Sequence, residues 1–348
     1  MARIFNLLIL VCSFMNAQPQ LYDFSYDGDN RQYYLYTPDS LEAGAALIFV
    51  FHGYSGSAAG IMGYSDLNSL ADQNGFVVCY PQGLIDDWDY RFWNVGYEFH
   101  SNETHDDVGF VKALAYYLQV QYQLSSYNTY STGMSNGGDM SYLLACQASD
   151  VFRAVAPVAG CMMTWIYESC EPIRPIPVFE IHGTDDDVTW WEGVDENNND
   201  GWGPWESVDT TFNFWTEINE CTEYTVDTLP NVNPTDGSFV IGHKNMHGIN
   251  DNEVWLYEVV NGGHDWPGAW GNMDINASAE IWGFLDQFSI TAEIGDINFD
   301  QTINISDMLL ISDGIMNDQP YNYIADYNHD SEINTLDIIF IENFILDI

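Results

Sequence analysis

The stretch YSTGMSNGGDMSYLLACQA, residues 130–148, decides the fold. It contains the pattern G-x-S-x-G, with Ser135 between Gly133 and Gly137, after a strand-like run and before a helix-like one. This pattern is typical of a sharp strand-to-helix turn that exposes a serine oxygen at the edge of a sheet. The same residues also fit an ordinary glycine-rich strand-to-helix connection in which the serine caps the helix. The rest of the chain must therefore supply the partners of a nucleophile.

Short apolar runs alternate with amphipathic stretches on both sides of this turn. Runs of this length are typical of buried strands, and acidic residues at the start of a stretch favour a helix. Alternating strands and helices predict an α/β fold with a mostly parallel sheet. We expect a hairpin at 21–37, strands at 45–51, 76–81, 152–160, 177–183 and 253–260, and helices at 106–122, 141–149 and 277–288.

Two later segments carry the residue types that a serine nucleophile needs. Asp186 lies in HGTDDDV (182–188) and His264 lies in NGGHDWPG (261–268), and each follows a predicted strand. The order Ser, Asp, His is that of α/β-hydrolases. Histidine takes the serine proton near neutral pH, and a carboxylate orients the imidazole ring. Because Asp185, Asp186 and Asp187 are consecutive, the spacing alone does not choose among them.

An oxyanion hole requires backbone N–H groups that are fixed before the reaction begins. Asn136 follows the serine and supplies one donor. The loop HGYSGSA (52–58) follows the first buried strand and is expected to supply the other, at Tyr54. We expect His52 to hold this loop rather than to take part in the reaction.

The charge is extreme, with 52 acidic residues against 7 basic ones and a net charge of -45. Such a chain repels nucleic acids and anionic membranes. It fits a secreted protein in salty water or a protein that binds Ca²⁺. Aromatic residues make up 15% of the chain, which suits either a cleft for ring-bearing ligands or an aromatic core. The same choice applies to Trp191, Trp202 and Trp205 in the polar segment 191–206, which we expect to be a surface loop.

The first 17 residues have the composition of a signal peptide, with Arg3 before a short apolar run. No run is long enough to span a bilayer. Export would permit disulfides among Cys79, Cys146, Cys161, Cys170 and Cys221. Cys170 has two plausible partners, Cys146 and Cys161, and Cys79 fits a buried free thiol.

Near residue 293 the composition changes, and the remaining stretch has neither Lys nor Arg. It contains an internal repeat that starts at Asp296 and again at Asp326, 30 residues apart. A repeat of this kind predicts two copies of one small structural unit. We therefore expect three segments: a signal peptide at 1–17, an α/β domain at 18–290 and a separate module at 293–348.

Several segments of the α/β part resemble the extracellular polyhydroxybutyrate depolymerase-like esterases, a group that includes feruloyl and acetyl xylan esterases of carbohydrate esterase family one. The resemblance implies an α/β-hydrolase fold, with Ser135 as nucleophile, Asp186 as acid and His264 as base. It also puts Trp93 and Trp266 near the cleft, where they contact substrate or pack loops. Asp187 departs from the family, which usually has proline there. The matching segments are FVFHGYSGSAAG, ADQNGFVVCYPQG, FWNVG, DDVGFVKAL, YSTGMSNGGDMSYLLAC, FRAVAPVAG, PVFEIHGTDDDV and GGHDWPG.

The repeat resembles a dockerin-type Ca²⁺ module, in which oxygen ligands alternate along a tight loop before a helix. The resemblance implies helices at 305–316 and 335–346 and a cohesin-like or cell-surface partner. Gln301 and Ser331 stand where glycine is usual, and the partner-recognition pairs are Ile305-Ser306 and Thr335-Leu336. The implied ligands are Asp296, Asn298, Asp300, Thr302, Asn304 and Asp307 in the first copy, and Asp326, Asn328, Asp330, Glu332, Asn334 and Asp337 in the second, with Thr302 and Glu332 binding through carbonyl groups.

The sequence thus predicts a secreted serine ester hydrolase with structural Ca²⁺ and no cofactor for catalysis. The favoured substrates are feruloyl or acetyl esters on polysaccharides, by analogy with the family. A polyester such as polyhydroxybutyrate is the alternative substrate. A binding protein that has kept the hydrolase fold without activity is the alternative from another class.

Overall fold

A computed structural model describes residues 17–197, 200–291, 293–297, 302–317, 319 and 322–346. The predicted signal peptide, apart from Ala17, and Asn298, Asp300 and Gln301 of the first repeat lie outside these residues. The strands are β1 Gln20–Tyr26, β2 Asp29–Tyr36, β3 Leu47–Phe51, β4 Val77–Gln82, β5 Leu84–Ile85, β6 Arg91–Phe92, β7 Thr129–Met134, β8 Ala154–Val158, β9 Val178–Gly183, β10 Glu223–Thr228, β11 Phe239–Met246 and β12 Val254–Val260. The α-helices are α1 Ala58–Ser65, α2 Leu67–Asn74, α3 Asp107–Tyr122, α4 Asn136–Gln147, α5 Thr164–Ser169, α6 Val208–Asn219, α7 Ala277–Asp286, α8 Ile305–Met316 and α9 Thr335–Ile345.

One large sheet organises the chain from residue 20 to residue 260. Its strand order is β1-β2-β4-β3-β7-β8-β9-β12-β11-β10, and β5 and β6 form a separate short ribbon. The six central strands, from β4 to β12, are parallel, whereas the hairpin β1-β2 and the pair β11-β10 add antiparallel edges. The predicted α/β fold with a mostly parallel sheet is therefore confirmed.

Apolar side chains cover both faces of the sheet, which is why its central strands are continuous apolar runs. In β3, Phe49 and Phe51 belong to a core that includes residues of α3, α4 and α6. The alternate residues Ile48 and Val50 face a second core with residues of α1, α2 and α7. Helices therefore pack on both sides, and only the ends of the strands are left for a site. No helix among the described residues combines the length and apolarity needed to cross a bilayer.

The segment 191–206 mixes exposed and buried residues. Trp205 pairs with Val194 and Met163 through isolated bridges, and it is only 8% exposed. It therefore packs in the core, while Trp202 lies beside the ring of Tyr54. The expected surface loop is thus partly tied to the domain.

A disulfide joins Cys146, in the last turn of α4, to Cys170, just after α5. It is one of the two pairings that the sequence left open. Cys79, Cys161 and Cys221 are free, and Cys79 is buried as predicted.

The two tail helices confirm the predicted α8 and α9 and begin in the same way. Asn304 and Asn334 cap them, and Asp307 and Asp337 complete capping boxes at the third helical position. Ile311 of α8 and Ile341 of α9 meet in a small core of their own.

Candidate active site

Ser135 occupies a sharp turn between β7 and α4. Its backbone has φ 57° and ψ -126°, an unfavourable region for a residue with a side chain. The glycines beside it permit close backbone contact: a Cβ at Gly133 would lie 2.5 Å from the Gly137 oxygen, and one at Gly137 would lie 2.0 Å from the Phe51 oxygen. The Ser135 N–H donates to Val158 at 2.9 Å and ties the turn to β8. The pattern G-x-S-x-G is therefore a nucleophile-type turn rather than an ordinary connection.

The acid and base of the predicted triad lie together beyond the ends of β9 and β12. His264 Nδ1 is 2.8 Å from Asp186 Oδ2. The other carboxylate oxygen of Asp186 accepts the N–H groups of Val188 and Thr189, both at 2.8 Å. Asp186 is 5% exposed, whereas its neighbours Asp185 and Asp187 are exposed. Geometry thus singles out Asp186 among the three consecutive aspartates.

Two opposing effects act on the pKa of Asp186. Burial by itself raises the pKa, but hydrogen bonding and charge attraction from His264, with further attraction from His182, outweigh it, and the net pKa is lowered. Asp186 is therefore held as a carboxylate that can orient an imidazole ring and stabilise its cation.

The predicted nucleophile and base both follow strand ends at the same edge of the sheet. Among the hydrogen bonds of the described residues, none joins Ser135 to His264. In unliganded hydrolases this contact is often loose and tightens when substrate binds. The roles of Ser135, Asp186 and His264 remain predictions that this geometry supports.

The predicted oxyanion donors flank Ser135. Asn136 is the first residue of α4, where backbone N–H groups have no acceptor within the helix. Tyr54 follows Gly53, and a Cβ built on Gly53 would lie 3.3 Å from Ser135 Cβ, so this loop lies against the nucleophile. Among the described residues, the Tyr54 N–H donates to no protein acceptor. The two N–H groups therefore remain predicted oxyanion donors, and their positions beside Ser135 support this role.

His52 supports the oxyanion loop, as expected. Its Nδ1 donates to the Gly53 carbonyl at 2.8 Å, and its Nε2 accepts the Gly83 N–H at 3.0 Å. Burial lowers the pKa of His52 to about 4, so the ring is neutral and keeps both bonds at neutral pH.

Trp93 and Trp266, the two predicted substrate contacts, are 0% and 1% exposed. The Trp93 indole donates to the His52 carbonyl at 2.9 Å. The Trp93 backbone N–H donates to Asn136 Oδ1 at 2.7 Å, and Asn136 Nδ2 donates to the Trp93 carbonyl at 3.1 Å. The Trp266 indole donates to Ser278 at 3.1 Å. Both rings therefore pack the loops of the site, and neither presents a face to a ligand.

Sequence reasoning missed a polar network behind the triad acid. Thr189 Oγ1 lies 3.1 Å from Asp186 Oδ2 and 3.2 Å from His264 Nδ1. The Thr189 carbonyl lies 2.7 Å from His182 Nε2, and Glu180 lies 2.8 Å from His182 Nδ1. Burial alone would lower the pKa of His182, but hydrogen bonding and charge attraction from Glu180 outweigh it, and the net pKa is raised. A Glu and a His within the apolar strand PVFEIHG are a signal that could have revealed this pair, because buried charges need partners.

A second missed carboxylate, Asp139, lies on the first turn of α4. It is fully buried and accepts the Cys161 N–H at 2.6 Å and the Tyr97 hydroxyl at 2.5 Å. Burial raises the pKa of Asp139 to about 7, although the two donors counteract this effect. Asp139 therefore anchors the loop after β8 to the nucleophile helix.

The second repeat of the tail has buried carboxylates of the kind that bind calcium. Asp326 and Asp337 are buried, and Asp326 accepts the N–H groups of Asp330 and Ser331 at 3.0 and 2.8 Å. Burial raises the pKa of Asp337, and the charges of Asp326 and Asp330 add to this increase. Crowded carboxylates in a stretch without Lys or Arg fit a hard divalent cation in chemistry. In the described residues, however, no three His, Cys, Asp or Glu side chains converge as a metal site would require.

The fold and site have the organisation of an α/β-hydrolase. Comparison with known proteins agrees: a family model described as Esterase PHB depolymerase matches residues 31–186, and one described as Dockerin type I domain matches residues 294–346. The resemblances predicted from the motifs are therefore confirmed.

Curated relatives and a solved structure extend this result. The chain is 24% identical over 270 residues to the bifunctional acetylxylan esterase/xylanase XynS20E of Neocallimastix patriciarum, covering 77% of this chain and 35% of the relative. It is 28% identical to feruloyl esterase B of Piromyces equi, covering 71% and 42%. The chain thus spans well under half the length of these two relatives. An acetyl xylan esterase from Aspergillus awamori shares the fold, with a TM-score of 0.52 at 15% identity over 78% of this chain and all of that one.

Proposed function

We propose that this protein hydrolyses carboxylic esters through Ser135, His264 and Asp186. The observation that carries the proposal is the 2.8 Å contact between His264 and the buried Asp186, at the same sheet edge as the strained Ser135 turn. Parallel strands bring their carboxyl ends to one edge, so residues far apart in sequence meet there.

In the first half of the reaction, Ser135 Oγ attacks the ester carbonyl while His264 takes the serine proton. Asp186 stabilises the imidazolium ion that results. The tetrahedral oxyanion accepts hydrogen bonds from the backbone of Tyr54 and Asn136. Loss of one such donor typically removes about 3 kcal/mol of transition-state stabilisation.

Collapse of this intermediate expels the alcohol, which receives the proton from His264. The acyl group then remains on Ser135. A water molecule, deprotonated by His264, attacks the acyl-enzyme and releases the acid, and the serine regains its proton. These steps need only the side chains and N–H groups described above.

The favoured substrates are feruloyl or acetyl esters carried by polysaccharides. The names of two relatives, an acetylxylan esterase/xylanase and a feruloyl esterase, support this choice. A polyester is the alternative, supported by the Esterase PHB depolymerase description of the matching family model. Release of acetate or ferulate from xylan, or of 3-hydroxybutyrate from the polyester, separates the two.

The decisive experiment compares the wild-type protein with Ser135→Ala on p-nitrophenyl acetate, methyl ferulate, acetyl xylan and polyhydroxybutyrate. We expect the variant to lose at least about 10³-fold in kcat on every ester that the wild-type protein hydrolyses. Ser69→Ala, an exposed serine on α2, is the control for loss of a hydroxyl group. Folded wild-type protein without activity on any ester would instead favour a non-catalytic binding protein.

We further propose that the tail binds Ca²⁺ through the predicted loop ligands and docks a cohesin-like or cell-surface partner. Ca²⁺ supplies positive charge that neutralises the crowded carboxylates. Leu309 and Leu310 of α8 are exposed, as are Ile339 and Phe340 at the corresponding positions of α9. Such repeated apolar pairs suit a protein partner. Secretion, predicted from the N-terminal segment, agrees with the Cys146–Cys170 disulfide.

A further inference from the structure

Five aromatic rings form a continuous strip that leads away from the oxyanion loop. The shortest distance between neighbouring ring centroids is 4.8 Å, between Phe99 and Trp202. The longest is 5.8 Å, between Tyr54 and Phe99. The other contacts are Tyr54–Trp202 at 5.4 Å, Trp88–Phe99 at 5.5 Å and Tyr54–Tyr90 at 5.6 Å. We call Tyr54, Trp88, Tyr90, Phe99 and Trp202 the aromatic strip.

The outer end of the strip is open to solvent. Trp88 is 54% exposed and Tyr90 is 50% exposed, whereas the other three rings are partly buried. The inner end is Tyr54, which follows the glycine that lies against Ser135. An exposed group of large rings that continues into a candidate active site indicates a surface for a ligand longer than the catalytic pocket.

A buried carboxylate fixes the turn that carries the exposed rings. Asp86 Oδ1 accepts the N–H groups of Trp88 and Tyr90, both at 2.9 Å. Asp86 Oδ2 accepts the Tyr54 hydroxyl at 2.7 Å and a hydrogen bond from His100 at 3.0 Å. The turn and the oxyanion loop are therefore joined through one side chain, and the strip is already formed before a ligand arrives.

The polar residues of the same turn indicate the chemistry of that ligand. Asp87 and Asp89 are exposed and alternate with Trp88 and Tyr90. A sugar ring offers C–H groups to an aromatic face and hydroxyl groups to a carboxylate, whereas an aliphatic polyester has no hydroxyl groups along its chain to donate. A net charge of -45 disfavours anionic polymers.

We propose that the aromatic strip binds the sugar rings of a neutral polysaccharide and so presents its ester groups to Ser135. Only one part of this proposal, the presentation of ester groups to Ser135, rests on the proposed ester hydrolysis. Binding itself requires no turnover, so the two proposals can fail separately.

The first test measures binding to insoluble neutral xylan in a Ser135→Ala background. Adding Trp88→Ala and Tyr90→Ala should lower the retained protein about tenfold, because both exposed ring contacts are lost. Tyr117→Ala and Tyr224→Ala remove rings that are 45% and 53% exposed elsewhere, and they should bind as the parent does. Equal retention of the strip variant and the parent would overturn the proposal.

The second test separates sugar from polyester. Asp87→Asn with Asp89→Asn should weaken retention on xylan, since a carboxylate accepts a hydroxyl hydrogen bond more strongly than an amide. Polyhydroxybutyrate granules serve as the comparison polymer. Tighter retention of the parent on the granules than on xylan, or no effect of the Asn changes on xylan, would overturn the choice of a sugar ligand.

The third test links the strip to catalysis through a ratio of rates. Trp88→Ala with Tyr90→Ala should lower kcat/KM on acetyl xylan about tenfold relative to kcat/KM on p-nitrophenyl acetate. Equal losses on both substrates would indicate a distorted oxyanion loop and contradict the proposal. Another outcome is that the wild-type protein hydrolyses neither ester while the strip variant still binds xylan more weakly than the wild-type protein. In that case the proposed function fails and the proposed binding site stands.

Discussion

At the scale of single residues, Asp186 differs from Asp185 and Asp187 in its burial and in its contact with His264. Three adjacent aspartates differ little as letters, and only folding buries one of them and exposes the other two. Asp139 was missed because its partners lie on other segments: Tyr97 is 42 residues from Asp139. A single sequence has no periodic signal for such pairs.

The consecutive aspartates offer a matched pair of variants. Asp186→Asn should lower kcat about 10³- to 10⁴-fold, because an amide holds the wrong tautomer of His264 and does not stabilise its cation. Asp187→Asn makes the same chemical change at an exposed neighbour and should leave kcat within about twofold. Steady-state rates on p-nitrophenyl acetate, with circular dichroism as a check of folding, measure both. A similar loss in the two variants would remove Asp186 from the proposed triad.

Asp139 should make stability depend on pH. Its pKa is raised to about 7, well above its value in an unfolded chain, so the fold favours the neutral acid. This contribution is fully present below about pH 4 and is lost as pH rises towards 7. Asp139→Asn cannot ionise, so its stability relative to the wild-type protein should rise across this window.

The rise has an upper limit of about 4 kcal/mol, which corresponds to a shift of about three units. Urea unfolding of both proteins at intervals between pH 4 and pH 8 measures it. Because only the pH dependence of the difference is used, any fixed cost of the amide cancels. A difference that stays constant across this range would show that Asp139 is ionised in the fold throughout.

At the scale of elements, prediction succeeded where a strand is buried on both faces. The runs at 45–51 and 177–183 became β3 and β9 because their apolar residues pack against helices on either side. β10 was missed because it is an edge strand, and five of its six residues are exposed. Its sequence EYTVDT has no apolar run, and only pairing with β11 makes it a strand.

Glycine at position 331 should reduce the backbone strain of the loop in the second tail repeat. Ser331 has φ 68°, in the region that glycine adopts readily, and it occupies the predicted sharp-turn position. Ser331→Gly should relieve strain by about 0.5–1 kcal/mol net and tighten Ca²⁺ binding roughly two- to fivefold. Ser306→Gly, at a helical position of α8, should give no gain. Calorimetric titration with Ca²⁺ provides the readout, and weaker binding by Ser331→Gly would contradict the expected strain.

At the scale of the whole molecule, the dominant feature is charge. With 52 acidic and 7 basic residues, the folded chain repels itself, and salt should relieve that repulsion by shortening the screening length from about 10 Å at 0.1 M to about 3 Å at 1 M. The melting temperature at pH 7 and fixed Ca²⁺ should therefore rise by several degrees over this range.

The same salt series near pH 4 serves as the control. Many carboxylates are protonated there, and the pI is about 4.1, so the salt effect should be much smaller. Differential scanning calorimetry at both pH values makes the comparison. A melting temperature that falls with NaCl at pH 7 would show that specific ion pairs matter more than overall repulsion.

The turn anchored by Asp86 has a consequence for how such a protein diversifies. The surroundings of Ser135 tolerate little change, since a single added carbon at Gly137 would collide with the backbone of β3. The turn, by contrast, is held by backbone N–H groups and one buried carboxylate, so the side chains at 87, 88 and 90 can vary without removing these bonds, whereas Asp89, with φ 65°, favours Asp, Asn or Gly. Selection, or a library randomised at those positions, can thus redirect the protein to new polymers while the chemical machinery is inherited intact.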